Sequence, residues 1–247
     1  MHAHLAADLS GADLRSLGAH IFAVTRSLEE YEQVAHRTDR RTLWGAGVHP
    51  GLMGSIKNFE PGAFQRALRS ASFVGEIGLD GSSRVPMPEQ KRVLRTMLEQ
   101  LQDQPRIVSV HSAGAHFEIL RELHRTPIDG VVLHWWTGSA ELTAEAVRLG
   151  CYFSVPPAMI SARATLAQIP AERMLFETDH PYGDRRLPKG ARPGAVSAAE
   201  DGVAALSGRH PREVRIQSWR TFRTLLDKVD VRSSLGSEWL TVFDHLE

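Results

Sequence analysis

Short apolar runs rich in Val, Ile and Phe recur along the chain and alternate with longer segments of helical spacing. The runs are "IFAVTRS" (21–27), "TLWGAGVHP" (42–50), "FVGEIGLD" (73–80), "RIVSVHS" (106–112), "GVVLHWW" (130–136), "CYFSV" (151–155) and "RMLFETD" (173–179). With the opening "MHAHL" they make eight predicted strands. Helix-start residues stand between them: Ser27 before "LEEYEQVAH", Pro61 before "GAFQRALRSA", Pro88 before "EQKRVLRTMLEQLQ", and Ser139 before "AELTAEAVRLG", which ends in Gly150. In the third of these, Leu94, Met97, Leu98 and Leu101 share one face. Strand and helix thus alternate as repeated βα units, which demand a parallel sheet. Eight units without a break over 247 residues predict an α/β fold, a single closed (β/α)8 TIM barrel rather than an open sheet. Two further helices are predicted over 198–206 and 213–226, and Leu235, Trp239, Leu240, Phe243 and Leu246 have the spacing of a last helix packed on the barrel wall. The expected organisation is one domain over 1–247, with a very short first strand and extra C-terminal helices over 197–247.

Composition narrows the partners more than the fold. Lys plus Arg equals Asp plus Glu, 29 of each, so any site for a polyanion must be local. The single cysteine, Cys151, lies in an apolar run and is expected to be a buried thiol without a disulfide. No stretch approaches the roughly 18 apolar residues of a membrane span. Nor does a basic segment followed by an apolar one open the chain. A cytoplasmic protein with no membrane partner is the expectation.

The strand ends carry the chemistry. In such a barrel the active site lies at the C-terminal ends of the strands. His2 and His4, two apart on a strand, point the same way. Glu76 ends the fourth strand, His111 the fifth, His134 the sixth and Asp179 the eighth. Imidazoles and carboxylates without a thiolate suit Zn, Mn, Ni or Mg. Six such residues exceed what one structural ion takes, which predicts two divalent ions with Glu76 placed to bridge them. Paired ions lower the pKa of a bound water and neutralise charge on attacking and leaving oxygens. Asp179 is then both a ligand and the base that accepts the proton of the water, and the reaction is a hydrolysis.

Taken together, "HAHL" (2–5), "GVHP" (47–50), "VGEIGLD" (74–80), "VHS" (110–112), "LHWWTGS" (133–139) and "FETDHPY" (176–182) resemble the successive motifs of the TatD family of metal-dependent deoxyribonucleases, which belongs to the amidohydrolase-like barrels. These motifs follow one another in order over residues 2–182. The resemblance implies that His2, His4, Glu76 and Asp179 hold one ion and Glu76, His111 and His134 the other. It also implies cleavage of phosphodiester bonds, often as a 3′ to 5′ exonuclease on single strands, with single-stranded DNA as partner. It sets His49 beside the substrate. The runs "GEIGLDG", "VLHWWTGS" and "LGCYFSVPPAMI" look like the TatD-type component of Qat anti-phage defence islands, which implies protein partners from such a system.

The sequence also departs from the family. Only Met1 precedes His2, which leaves the first strand nearly absent and the α-amino group close to the metals: either the true start lies upstream, the favoured reading, or this barrel tolerates a minimal strand. The family often carries Ser-Arg after the histidine at position 111, where this chain reads Ser112-Ala113-Gly114. Arg185, Arg186, Lys189 and Arg192, in the loop over 183–194, are the candidate replacement for that cation, against a merely solvated basic loop. Trp135 and Trp136 alternate faces at a strand end, and Trp136 is the candidate for stacking a base. His180 and Tyr182 are candidate substrate contacts, and Asp80 is expected to orient a ligand. A barrel of this kind also hosts amide, ester and lactone hydrolysis, and a metal-containing assembly subunit without nuclease activity is the remaining alternative.

Overall fold

The apolar runs form β1 (Ala3–His4), β2 (Ile21–Val24), β3 (Thr42–Gly45), β4 (Phe73–Gly78), β5 (Ile107–His111), β6 (Val131–His134), β7 (Tyr152–Val155) and β8 (Met174–Phe176) in a computed structural model that describes residues 1–185 and 191–246. The helices are α1 (Gly11–Ser16), α2 (Leu28–Val34), α3 (Met53–Lys57), α4 (Pro61–Leu68), α5 (Met87–Asp103), α6 (His116–Arg125), α7 (Ala140–Arg148), α8 (Arg163–Leu166), α9 (Ser197–Ser207), α10 (Pro211–Lys228) and α11 (Ser237–Leu240). Local chemistry sets their starts. The Ser27 and Ser139 hydroxyls accept from the Glu30 and Leu142 N–H groups, satisfying donors that the first helical turn leaves free. None of the described helices is long and apolar enough to cross a membrane.

All strand pairs are parallel and run in sequence order, as two ladders, β1-β2-β3 and β4 to β8. Hydrogen bonds span both seams. Gly75 N–H donates to Ala46 O (3.1 Å) and Val48 N–H to Glu76 O (2.9 Å) between β3 and β4. Asp179 N–H donates to His2 O and His4 N–H to His180 O, both at 3.0 Å, between the end of β8 and β1. The α-amino group of Met1 donates to the Phe176 carbonyl (2.6 Å), and burial lowers its pKa to about 6.

The outward side chains of the strands, among them Ala23, Val108, Leu133 and Phe153, pack against the helices. The inward ones near the strand starts, Phe22, Phe73, Ile107, Val132, Tyr152 and Leu175, form a separate cluster. That cluster recruits Phe222, Leu225 and Leu226 from α10 and Leu235, Trp239, Phe243 and Leu246 from the C-terminal segment. The C-terminal segment is therefore not a helix on the wall. It is α11 flanked by two 3-10 turns, with Trp239 5.2 Å from Phe22 between ring centroids. The apolar barrel interior needs cover at the end opposite the rim, and short turns bring Trp239 and Phe243 under it more directly than one straight helix.

Candidate metal centre

Strand alternation delivers most of the site. In β5, β6 and β8 and the residues that follow, the inward positions are Ile107, Ser109 and His111, then Val132 and His134, then Leu175, Glu177 and Asp179. Glu76 breaks this rule. Phe73 points in and Val74 out, so strict alternation would aim Glu76 at the helices. The pairing shifts from Val74↔Val108 to Ile77↔Val110, three steps on β4 against two on β5. This bulge turns the Glu76 carboxylate into the barrel. Two motif glycines make the close approach possible. A Cβ on Gly47 would sit 1.9 Å from Thr25 O, and one on Gly78, at φ +145°, would sit 2.1 Å from His111 O.

The buried Glu76 carboxylate lies at the centre. Its Oε1 is 3.2 Å from His4 Nε2, 3.9 Å from His2 Nε2 and 3.7 Å from His49 Nε2. Its Oε2 is 3.1 Å from His111 Nδ1 and 3.2 Å from His134 Nε2. Asp179 Oδ1 stands 3.5 Å from His2 Nε2 and 3.4 Å from His4 Nε2. Ligand atoms at about 2.0–2.2 Å from one divalent ion lie about 3.0–3.5 Å from one another, so this spacing suits coordination. One unpaired atom points the same way: among the described residues, Glu76 Oε1 is buried without a hydrogen-bond partner. A buried carboxylate oxygen facing three imidazole nitrogens is what a cation satisfies. The groups His2/His4/Asp179, His2/Glu76/His134 and His49/Glu76/His111 each bring their donor atoms within 4.8 Å of one another.

The charges are set by these neighbours. Burial alone would raise the Glu76 pKa, but His111, His134, His2 and His49 hold it well below the usual carboxylate range. Burial, with His134 beside it, pushes His2 well down, and burial lowers His49. His111 and His134 go up against burial, the first through Asp80 and Glu76 and the second through Glu177 and Glu76. A cation held at those two rings would compete with protons for them.

Outer partners orient the rings. His2 Nδ1 meets Ser109 Oγ at 2.8 Å, and His111 Nε2 is 3.4 Å from Asp80 Oδ2. Asp80 is itself held through Oδ1 by the Ser82 N–H and hydroxyl. Behind His134 stands Glu177, fully buried, 3.7 Å from Nδ1; it accepts from the Trp135 N–H (3.1 Å) and the Ser154 hydroxyl. Sequence reasoning missed Glu177, although its place two residues before Asp179 in "FETD" puts both on one face. Glu177→Gln is expected to weaken metal binding about 10–100-fold, the usual cost of losing a carboxylate behind a ligating histidine. Titration calorimetry checks this, and an unchanged affinity would deny Glu177 that role.

A cavity of about 550 Å³ opens above the centre, walled by Arg26, Leu52, Ser112, Ala113, Trp135, Thr137 and Tyr182 together with His4, His49, Glu76, His111, His134 and Asp179. Trp136, the expected stacking residue, is not on it. Strand β6 stops at His134 and Trp135 takes φ +40°, which ends the alternation and turns Trp136 into the core. There its indole N–H donates to Thr143 Oγ1 (2.9 Å) and its ring packs near Phe153, while Trp135 takes the cavity wall. Trp136→Ala should therefore cost about 3–5 kcal/mol in urea unfolding, and Trp135→Ala much less. Equal costs would contradict this assignment.

The other expected contacts divide. His49 lines the cavity, and its Nδ1 accepts the Gly51 N–H (2.9 Å), so in the neutral ring Nε2 carries the proton. Tyr182 lines it too, edge-on to His4 at 5.5 Å, with the Arg185 guanidinium 4.9 Å above its ring. His180 instead turns its Nδ1 to the buried Asp184 (2.7 Å) and is not on the cavity wall. Arg192 lines a different cavity, with Met1, His20 and Trp219. Arg186 and Lys189 lie outside the described residues.

Comparison with known proteins gives the family and the fold. The family model described as TatD related DNase matches residues 2–227. The chain is 29% identical over 237 residues to a protein of Klebsiella pneumoniae (strain 342) named 3'-5' ssDNA/RNA exonuclease TatD, covering 87% of this chain and 89% of that one. It is 34% identical over 170 residues to the protein of the same name from Cronobacter sakazakii, covering 63% and 64%. To human deoxyribonuclease TATDN3 it is 31% identical over 149 residues, covering 57% and 54%. These last two matches span less than two thirds of the relatives' length. Among solved structures, YJJV, a TatD homolog from Escherichia coli, shares the fold with a TM-score of 0.78 at 21% identity, covering 91% of this chain and 96% of that one. A TatD family hydrolase from Entamoeba histolytica gives 0.68 at 17%, covering 84% of each. A family match over nearly the whole length, on a barrel shared with solved TatD homologues, means that this chain belongs to the TatD related DNase family.

Proposed function

We propose that this chain works as one metal-dependent hydrolase unit that cleaves phosphodiester bonds, removing nucleotides from the 3′ end of single-stranded DNA. The observation that carries this is the split use of Glu76, whose Oε1 faces His2 and His4 while its Oε2 faces His111 and His134. His2, His4, Asp179 and Glu76 hold one divalent ion in this proposal, and Glu76, His111 and His134 a second, drawn from Mg, Mn, Zn or Ni. Bound there, such ions lower the pKa of water and offset charge on the attacking and leaving oxygens. Asp179 accepts the proton of the attacking water, as its Oδ1 lies beside the same Nε2 atoms. The His49 Nε2–H, 3.7 Å from Glu76 Oε1, donates to a phosphate oxygen that enters the cavity. The exposed face of Tyr182 and the ring of Trp135 flank the terminal base.

The test is nucleotide release from single strands labelled at either end, with Mg or Mn added. Mononucleotides shed from the 3′ end support the proposal. Metal binding without cleavage of DNA or RNA would overturn it in favour of an amide, ester or lactone substrate. The Qat-like runs around Glu76, His134 and Cys151 support a place for this activity in anti-phage defence, beside partner proteins of such a system. There, Asp179→Asn should abolish protection against phage.

A further inference from the structure

Arg26 lies two residues past the end of β2 and stands on the wall of the cavity that holds Glu76 and His49. Nothing in the sequence reading singled it out. Its carbonyl accepts the His49 N–H (2.9 Å), which ties it to the loop carrying that histidine. One edge of its guanidinium is fixed: Nε donates to Glu30 Oε2 (3.3 Å) and Nη2 to Glu30 Oε1 (3.2 Å). Glu30 is held in turn, because its Oε2 also accepts the Arg26 N–H (2.7 Å). A guanidinium has five N–H donors in a rigid fork, so Glu30 leaves the Nη1 edge for a second anion. The side chain is 52% exposed, enough to meet one.

Two further observations give this edge a direction. Among the described residues lining the cavity, Arg26 is the one cation of fixed charge, and the position after His111 and Ser112 is Ala113. A neighbouring groove shares Arg26 and Leu52 as its wall and is lined by Asp8, Glu29 and Glu30. These carboxylates repel a polyanion from that side, which leaves the approach over the imidazoles of the metal centre as the favoured one.

We infer that Arg26, held in place by Glu30, anchors the substrate phosphate in this cavity and supplies the cation that Ala113 does not. The inference rests on the phosphodiesterase proposal. Its test uses the metal-loaded protein with two readouts. One is the Kd of inorganic phosphate by calorimetry; the other is KM and kcat for a labelled single strand between about 50 and 200 mM salt. Arg26→Ala should raise both the phosphate Kd and KM at least about tenfold, leave kcat within about threefold, and flatten the salt slope by about one. Arg26→Lys should recover part of the affinity, since it restores the charge without the fork. Glu30→Ala should raise KM less than Arg26→Ala does. A phosphate Kd, KM and salt slope within about twofold of the parent in Arg26→Ala would overturn the inference. Should the parent protein release no nucleotide, the phosphodiesterase proposal fails by itself. The phosphate Kd then decides on Arg26: a loss in Arg26→Ala sustains an anion anchor, and no change refutes it.

Discussion

Replacing Glu76 by alanine is expected to remove both bound metal and hydrolysis while the barrel stays folded. Among the described residues, Glu76 is the one carboxylate within 4 Å of His2, His4, His111 and His134 together, so its loss opens both halves of the centre at once. The rate should fall at least about a thousandfold, the scale seen when a preorganised charge is removed from a reacting centre. Folding survives for a reason particular to this site. Asp80 beside His111 and Glu177 beside His134 remain in the variant, so neither ring is left as a buried charge without a carboxylate partner. Glu76→Gln keeps the volume and separates loss of charge from loss of packing. Elemental analysis, nucleotide release and thermal unfolding on the three proteins check the prediction. An active Glu76→Ala protein would defeat the metal mechanism.

Asp179→Asn should be the second most damaging change, and it should separate rate from metal. The amide keeps one oxygen at the position of Oδ1, near His2 and His4, so a substantial share of the metal should remain. It cannot accept a proton, and kcat should drop at least about a thousandfold. The backbone is a fair control, because Asp179 sits at φ +41°, where asparagine is tolerated as well as aspartate. A variant with normal metal content and a rate within about tenfold of the parent would mean that the proton goes elsewhere.

Period-two alternation explains why so much of this centre was legible beforehand. His2 and His4 are spaced as strand residues on one face, and both rings stand beside Asp179. Glu76 was legible only through its motif. Alternation counted from Phe73 would have sent it outward, and the bulge that reverses it leaves no compositional mark beyond the flanking glycines. Trp136 shows the opposite failure: alternation predicts its face two residues past the end of β6, where a left-handed Trp135 has already ended it. Arg26 and Glu177 were missed because neither has a signature of its own. One is an arginine after a short strand, the other a carboxylate whose partner, His134, lies 43 residues away in sequence. The C-terminal segment had the apolar spacing of a helix, yet the need to seal the barrel around Phe22 and Phe73 outweighed that local preference.

The most direct test of the account is metal content measured together with cleavage: elemental analysis of the purified protein, followed by nucleotide release from labelled single-stranded DNA with and without a chelator. The account predicts two divalent ions per chain, release of nucleotides that stops when the ions are stripped, and recovery when Mn or Mg is returned. A protein that takes up no divalent ion, or cleaves equally well without one, would contradict it.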